Sequence, residues 1–261
     1  MWLTHKRRCD VLHDSLLVVW ILSAPAGGVQ GDRVSPDMAQ TQEQIGVPAA
    51  TGDRTRPHTV LWMLSAFCAA GSLAGLVLAA LGLDERGTDV ALQVTARFSF
   101  LLFWPAYAGG ALATLFGPIF EPLKRRGREF GLAFASAHLI HIALVGWLIQ
   151  IGAPPPWGTF VFFGIAVLWL YLLALFSIVR LQRMLRPKVW WLLHLIGLNY
   201  IAYAFATDFL RASPVDSLKH LIGYVPFAVL SVLGPALCLA AFVRRVAINA
   251  IERRGRGSVH A

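Results

Sequence analysis

Three histidines, His138, His141 and His194, lie in segments so apolar that we expect them inside a lipid bilayer. An ionisable side chain at membrane depth is costly, so it commonly marks a bound cofactor, a proton path or an ion path. Neutral imidazole is also a favoured ligand of metals and of haem iron. These three side chains are therefore the first candidates for a functional site.

The spacing of the histidines favours haem. His138 and His141 are three residues apart, so they occupy neighbouring positions on one face of a helix and both can face the interior of a bundle. His194 belongs to a different apolar segment, and Gly197 follows it on the same side, where we expect room for a flat macrocycle. Histidines from two facing helices are a standard way to hold a b-type haem.

Two other interpretations compete with haem. Each histidine can serve only as a hydrogen-bond partner between helices. A metal site without porphyrin would need further histidine or carboxylate ligands at the same depth. Asp208 is the single acid in the predicted spans, and it lies near the outer end of one of them. We therefore disfavour a metal without porphyrin and keep the hydrogen-bonding interpretation as the alternative.

The composition indicates an integral membrane protein. Hydrophobic residues make up 57% of the chain and charged residues only 14%, which is far from the average soluble domain. A helix needs about 20 apolar residues to span a bilayer. Six segments meet this requirement, namely residues 60–83, 98–120, 130–151, 160–179, 189–210 and 221–243. The predicted fold is all-α, an integral membrane bundle of six transmembrane helices.

The basic residues predict the orientation of the bundle. Lys and Arg near span ends are retained on the cytoplasmic side, and they cluster after the second, fourth and sixth spans. The clusters are Lys124, Arg125, Arg126 and Arg128; Arg180, Arg183, Arg186 and Lys188; and Arg244, Arg245, Arg253, Arg254 and Arg256. Both termini are then cytoplasmic. The net charge of +9 indicates contact with anionic membrane lipid and no nucleic-acid partner.

The N-terminal segment superficially resembles a secretory signal, with a basic start and a short apolar core. A cleaved signal would place the new N-terminus outside, which conflicts with the loop charges. We therefore interpret residues 1–58 as a disordered cytoplasmic tail, in which residues 1–37 can also be a mis-assigned translation start with Met38 as the true one. Residues 59–243 form the predicted haem-binding transmembrane domain, and residues 244–261 form a basic cytoplasmic tail.

Nucleotide and cysteine motifs are missing from the sequence. Cys9, Cys68 and Cys238 show no metal-binding spacing, and there is no glycine-rich nucleotide loop. We therefore expect no flavin or nicotinamide domain in this chain. A protein of this kind that moves electrons must receive them from a separate donor.

Two segments resemble a known family. The segment RRGREFGLAFASAHLIH, residues 125–141, resembles the third-helix pattern of the ferric-reductase-like transmembrane domain family, in which a haem-binding histidine follows a glycine by about ten positions. Counted from Gly131, that histidine is His141. The segment from Trp190 to His194, WWLLH, is similar to the W-x-x-LH of the family, whose histidine is a haem ligand. The resemblance implies haem b with His141 and His194 as the axial ligands of its iron.

The chain departs from the family at two points. Members usually carry another histidine 13 or 14 residues after the first one of the fifth helix, where this chain has Thr207 and Asp208. The resemblance therefore implies one haem and argues against a second. His138 is an extra histidine that lies closer than His141 to the depth of His194. The depth thus favours His138 as the partner of His194 and the alignment favours His141, which we follow.

The resemblance covers about residues 60–243 and implies an electron-transfer subunit of an oxidoreductase in a bacterial inner membrane. Small members of the family resemble the haem-binding membrane subunit of the protein-methionine-sulfoxide reductase system. Electrons would pass from a cytoplasmic-side donor, a flavin reductase or a quinol, to a separate acceptor on the outer side. The alternative is a non-redox membrane protein, such as a small transporter subunit or an assembly factor, although the spans contain few charges to coordinate a solute.

Overall fold

A computed structural model describes residues 55–179, 186–211 and 218–257, and these ranges contain helices and no strand. The α-helices are α1 (Thr55–Leu81), α2 (Glu85–Phe116), α3 (Glu121–Arg125), α4 (Gly127–Gln150), α5 (Trp157–Ile178), α6 (Pro187–Arg211) and α7 (Leu218–Gly257), with a 3-10 turn (Pro118–Phe120) before α3. The predictions for the N-terminal tail up to residue 54, the start at Met38 included, lie outside the described residues.

The predicted six-helix membrane bundle is confirmed. All of the helices except the short α3 are long and apolar enough to cross a membrane, six in the described part of the chain. Large apolar side chains cover the outside of the bundle, as for Leu76 (70% exposed) and Leu168 (67% exposed). Such a surface suits lipid, while each helix satisfies its own backbone hydrogen bonds.

The second transmembrane helix begins 13 residues before its predicted start at residue 98, so that prediction is wrong. Asp84 caps α2, because its carboxylate accepts a hydrogen bond of 2.9 Å from the Gly87 N–H. Arg97 precedes the predicted start of the second span, but it lies within α2 and places its guanidinium 4.5 Å from the ring centroid of Tyr224 in α7. Hydropathy alone excluded this polar first part of the helix.

The last helix is longer than predicted as well. The sequence predicted a span that ends at residue 243, whereas α7 continues to Gly257, so most of the predicted basic tail is helical. Arg244 donates to the backbone carbonyls of Thr114 and Leu115, and Arg245 donates to the Thr114 hydroxyl at 2.6 Å. The Arg244 bonds satisfy carbonyls that the end of α2 leaves unpaired. Together with the Arg245 bond they tie α7 to α2.

The bundle has two distinct ends. Helices α1, α4 and α6 begin at the end that also carries Lys124, Arg125, Arg128 and Arg244, which we name the basic end. Helices α2, α5 and α7 begin at the other end, which we name the opposite end. Helix α2 is 32 residues long, about 48 Å, so it is longer than a hydrocarbon core of about 30 Å.

Small residues let the helices around α4 pack closely. Ala133 and Ala137 of α4 are fully buried against Ala66 and Ala70 of α1. On another side, α4 packs along α2, and the contact between these two helices is extensive. In contrast, α4 and α5 follow each other in the chain but share few contacts, because α5 packs on α6 instead. Close packing through small residues is typical of membrane helices.

Candidate functional site

A cavity of about 390 Å³ lies between α2, α4, α5 and α6. Its volume is in the range of small-molecule and cofactor sites. The wall is mostly apolar, formed by Leu92, Ala96, Phe134, Ile142, Val145, Pro155, Phe160, Phe163, Gly164, Ala166, Val167, Leu170, Ile201, Ala204 and Phe205. The polar lining residues are Gln93, His138, His141, Thr159 and Asp208.

The cavity exists because α4 and α5 separate from one another. Towards the basic end they are joined, since the Tyr171 hydroxyl donates to the Ala135 carbonyl at 3.1 Å and Arg128 donates to Ser177 at 3.2 Å. Towards the opposite end the space between them is the cavity, whose lining there includes Pro155. The cavity therefore lies nearer to the opposite end of the bundle.

Gly197 holds α5 against α6 and so keeps it away from α4. A Cβ atom at Gly197 would lie 2.8 Å from Cδ1 of Leu173 and 3.0 Å from Cε3 of Trp169, both in α5. The Tyr200 hydroxyl also donates to the Phe162 carbonyl at 3.1 Å across the same pair of helices. The space beside Gly197, in which the sequence predicted room for a macrocycle, is thus filled by side chains of α5.

His138 and His141 lie side by side on one face of α4, as their spacing predicted. Their rings are stacked, with centroids 4.9 Å apart and an angle of 17° between the planes. Both residues line the cavity from α4. Two imidazoles on one helix face therefore form the principal polar feature of an otherwise apolar space.

His141 is anchored to α2 by a hydrogen bond. Its Nδ1 lies 3.1 Å from Oγ1 of Thr95, a residue with no exposed surface. Thr95 is a site residue that the sequence analysis missed, because it assigned this part of the chain to a loop. The signal was a run of small and hydroxyl residues at helical spacing, namely Thr88, Ala91, Thr95 and Ser99.

His138 has a different environment. Its Nδ1 is buried and has no hydrogen-bond partner in the described structure, and its ring lies 5.5 Å from that of Phe134. A buried polar atom without a partner costs about 1–3 kcal/mol. Such a cost is commonly retained at a site where a ligand or cofactor changes the surroundings.

His194 is not brought to the other two histidines. Its side chain is exposed on the surface of the bundle, beside Trp190 at 5.4 Å between ring centroids, and it does not line the cavity. At ~1.5 Å per residue, His194 lies about 10 Å from the start of α6 and His141 about 21 Å from the start of α4. The pairing of His194 with either histidine as axial ligands of one haem stays a prediction.

Asp208 lines the same cavity as His138 and His141. It is one of the two positions at which the resemblance expects another haem ligand. The other, Thr207, donates its hydroxyl to the Ala204 carbonyl at 2.8 Å. Of these two positions, only Asp208 lines the cavity.

No family model, characterised protein or solved structure matches the chain. The site must therefore be interpreted from its own geometry. Within the described residues no three His, Cys, Asp or Glu side chains are grouped so that they could hold a metal ion. The arrangement can supply one or two imidazole nitrogens to the metal of a cofactor. The cofactor itself would have to supply the other coordinating atoms.

Proposed function

We propose that this protein is a membrane electron-transfer subunit that holds one b-type haem in the cavity between α2, α4, α5 and α6. The observation that carries the proposal is the stacked pair His138 and His141 on the wall of an apolar cavity within the bundle. Haem needs only axial ligands from the protein, because the porphyrin supplies the other coordinating nitrogens. An apolar wall with few polar groups suits such a cofactor.

The α4 side of the cavity would hold the haem. His141 is the axial ligand that we favour, with His138 stacked beside it, and Phe134 completes that wall. The facing residues of α6 are the apolar Ile201, Ala204 and Phe205, with Asp208 towards the opposite end of the helix. The protein would then ligate the iron from the α4 side only. The His141–His194 pair implied by the family resemblance would need a different arrangement of α6.

Orientation and partners follow from the charge distribution and from the resemblance to the ferric-reductase-like family. The basic end would face the cytoplasm of a bacterial inner membrane, with both termini there, and the cavity would lie nearer to the outer side. A flavin reductase or a quinol would donate electrons, and a separate acceptor would take them on the outer side. When bound, haem supplies a one-electron couple whose potential depends on its axial ligand and its surroundings.

An absorbance spectrum of the full-length protein, purified after expression with added haem, tests the proposal. We expect haem bands in the wild type and their loss in His141→Ala. His58→Ala is the matched control, since His58 is exposed near the start of α1, and it should leave the spectrum unchanged. A wild-type preparation that is folded and free of haem would contradict the proposal.

One observation favours the non-redox alternative, a transporter subunit or an assembly factor. His141 already has a partner in Thr95, and a histidine that bonds across two helices needs no cofactor to explain it. Under this alternative His141→Ala would lower the thermal stability of the bundle while no preparation absorbs as haem does. The same spectra and melting curves therefore separate the two functions.

A further inference from the structure

His138 and His141 differ in the hydrogen bonds that determine which ring nitrogen carries the proton. The difference originates in α2. Thr95 contacts His141, whereas Ser99, one helical turn further along, contacts no polar partner in the described residues. Both hydroxyl residues are fully buried. Only one of the two histidines is therefore held by a hydrogen bond from this helix.

The hydroxyl proton of Thr95 can be placed from the distances. Oγ1 of Thr95 lies 2.8 Å from the Ala91 carbonyl oxygen and 3.1 Å from that of Leu92. Two oxygens at 2.8 Å with no proton between them would repel each other, so the hydroxyl proton lies between Oγ1 and a carbonyl. Towards His141, Oγ1 then has only lone pairs to offer.

The proton of His141 follows from that assignment. The contact of 3.1 Å between Thr95 Oγ1 and His141 Nδ1 is favourable only if Nδ1 carries a proton and donates it. A neutral imidazole with its proton on Nδ1 has its free lone pair on Nε2. Because His141 lines the cavity, this ring is prepared to act as a ligand there.

We propose that Thr95 is a positioning residue that holds His141 in the Nδ1–H tautomer and leaves Nε2 as the ligating nitrogen of the cavity. Histidines that bind metals almost always donate their other N–H to a protein acceptor, which fixes both tautomer and ring orientation. His138 lacks such an acceptor at its Nδ1. The inference rests on the proposed function only for the identity of the ligand, haem iron; the tautomer is a property of the protein without haem.

The first test is the ¹⁵N spectrum of histidine-labelled, haem-free protein in lipid bilayers, with the His141 signals assigned by their loss in His141→Ala. We expect protonated Nδ1 and unprotonated Nε2 in the wild type and in Thr95→Ser. Thr95→Val and Thr95→Ala remove the hydroxyl acceptor and leave the Leu92 carbonyl as the remaining one beside the His141 ring, and either should give a mixture of the two tautomers. Ser99→Ala is the matched control, because it removes a buried hydroxyl without a partner from the same helix and should leave the His141 signals unchanged.

The second test is haem affinity, measured by titration of the same variants. Loss of an outer hydrogen-bond partner typically lowers metal affinity about 10- to 100-fold, so we expect a loss of this size in Thr95→Val and none in Ser99→Ala. A wild-type His141 protonated at Nε2, or an unchanged tautomer in both Thr95→Val and Thr95→Ala, would overturn the inference. If the tautomers are as expected and no variant binds haem, the proposed function fails and the role of Thr95 stands.

Discussion

The α4 histidine pair and His194 show how histidines in two apolar transmembrane segments can have different environments. His138 and His141 lie on the wall of a cavity, with rings stacked and one nitrogen bonded to a buried threonine. His194 lies on the exposed surface of α6, beside Trp190. A histidine in a transmembrane segment therefore indicates a site only when the neighbouring helices leave space around it.

The packing of α5 accounts for the difference. Gly197 lets α5 approach α6, so Leu173 and Trp169 fill the space one turn from His194. The same approach draws α5 away from α4 and leaves the cavity beside His138 and His141. The contact between α5 and α6 thus fills the space near His194 and leaves space beside His138 and His141.

The largest expected effect is on haem retention. His141→Ala should lower haem affinity by more than the roughly 100-fold upper figure for losing an outer hydrogen-bond partner, because it removes the ligand itself. His194→Ala should leave the affinity unchanged, since His194 lies outside the cavity. Titration of each purified variant with haemin provides the measurement.

Two other outcomes of that titration would contradict the distinction between His194 and the α4 pair. An equal loss in His194→Ala would mean that α6 rearranges on binding to give the axial pair that the family resemblance implies. A loss in His138→Ala with normal binding in His141→Ala would reverse our choice between the two stacked rings. Either result would change which histidines we assign as ligands of the iron. Neither would change the cavity itself.

The second expected effect is on stability. Gly197→Ala places a Cβ atom too close to Leu173 and Trp169, and overpacking of this kind costs about 1–3 kcal/mol. Gly146→Ala is the control, because Gly146 in α4 has open space around its Cβ position and should change little. Unfolding midpoints in detergent compare the two variants, and an equal response would mean that the α5–α6 contact does not support the arrangement.

The sequence predicted the six helices and the shared face of His138 and His141 because both depend on local periodicity. It misplaced the start of α2, since Asp84 caps a polar first turn that hydropathy excludes. Thr95 was missed for that reason. Once a segment is taken as a loop, its side chains are not considered as partners of a buried histidine.

The position of His194 could not be predicted because it depends on how α5 packs. Residue spacing gives the depth of a side chain and its face on a helix, but not which neighbouring helix covers that face. The cavity has the same origin, since Gly197 and the bond between Tyr171 and Ala135 act between elements far apart in sequence. Long-range packing of this kind has no local pattern in the sequence.

The smallest expected effect concerns the junction of α4 and α5 at the base of the cavity. Tyr171→Phe removes the bond to the Ala135 carbonyl, and hydrogen bonds between membrane helices average about 0.6 kcal/mol. Tyr200→Phe removes a bond of the same length between α6 and α5 and serves as the matched variant. Both should lower the unfolding midpoint slightly, but only Tyr171→Phe should hasten haem loss, because its bond limits the separation of α4 from α5. The rate of haem loss is measured by the transfer of haem to an apo-globin. Equal rates in the two variants would show that this junction does not set the width of the cavity.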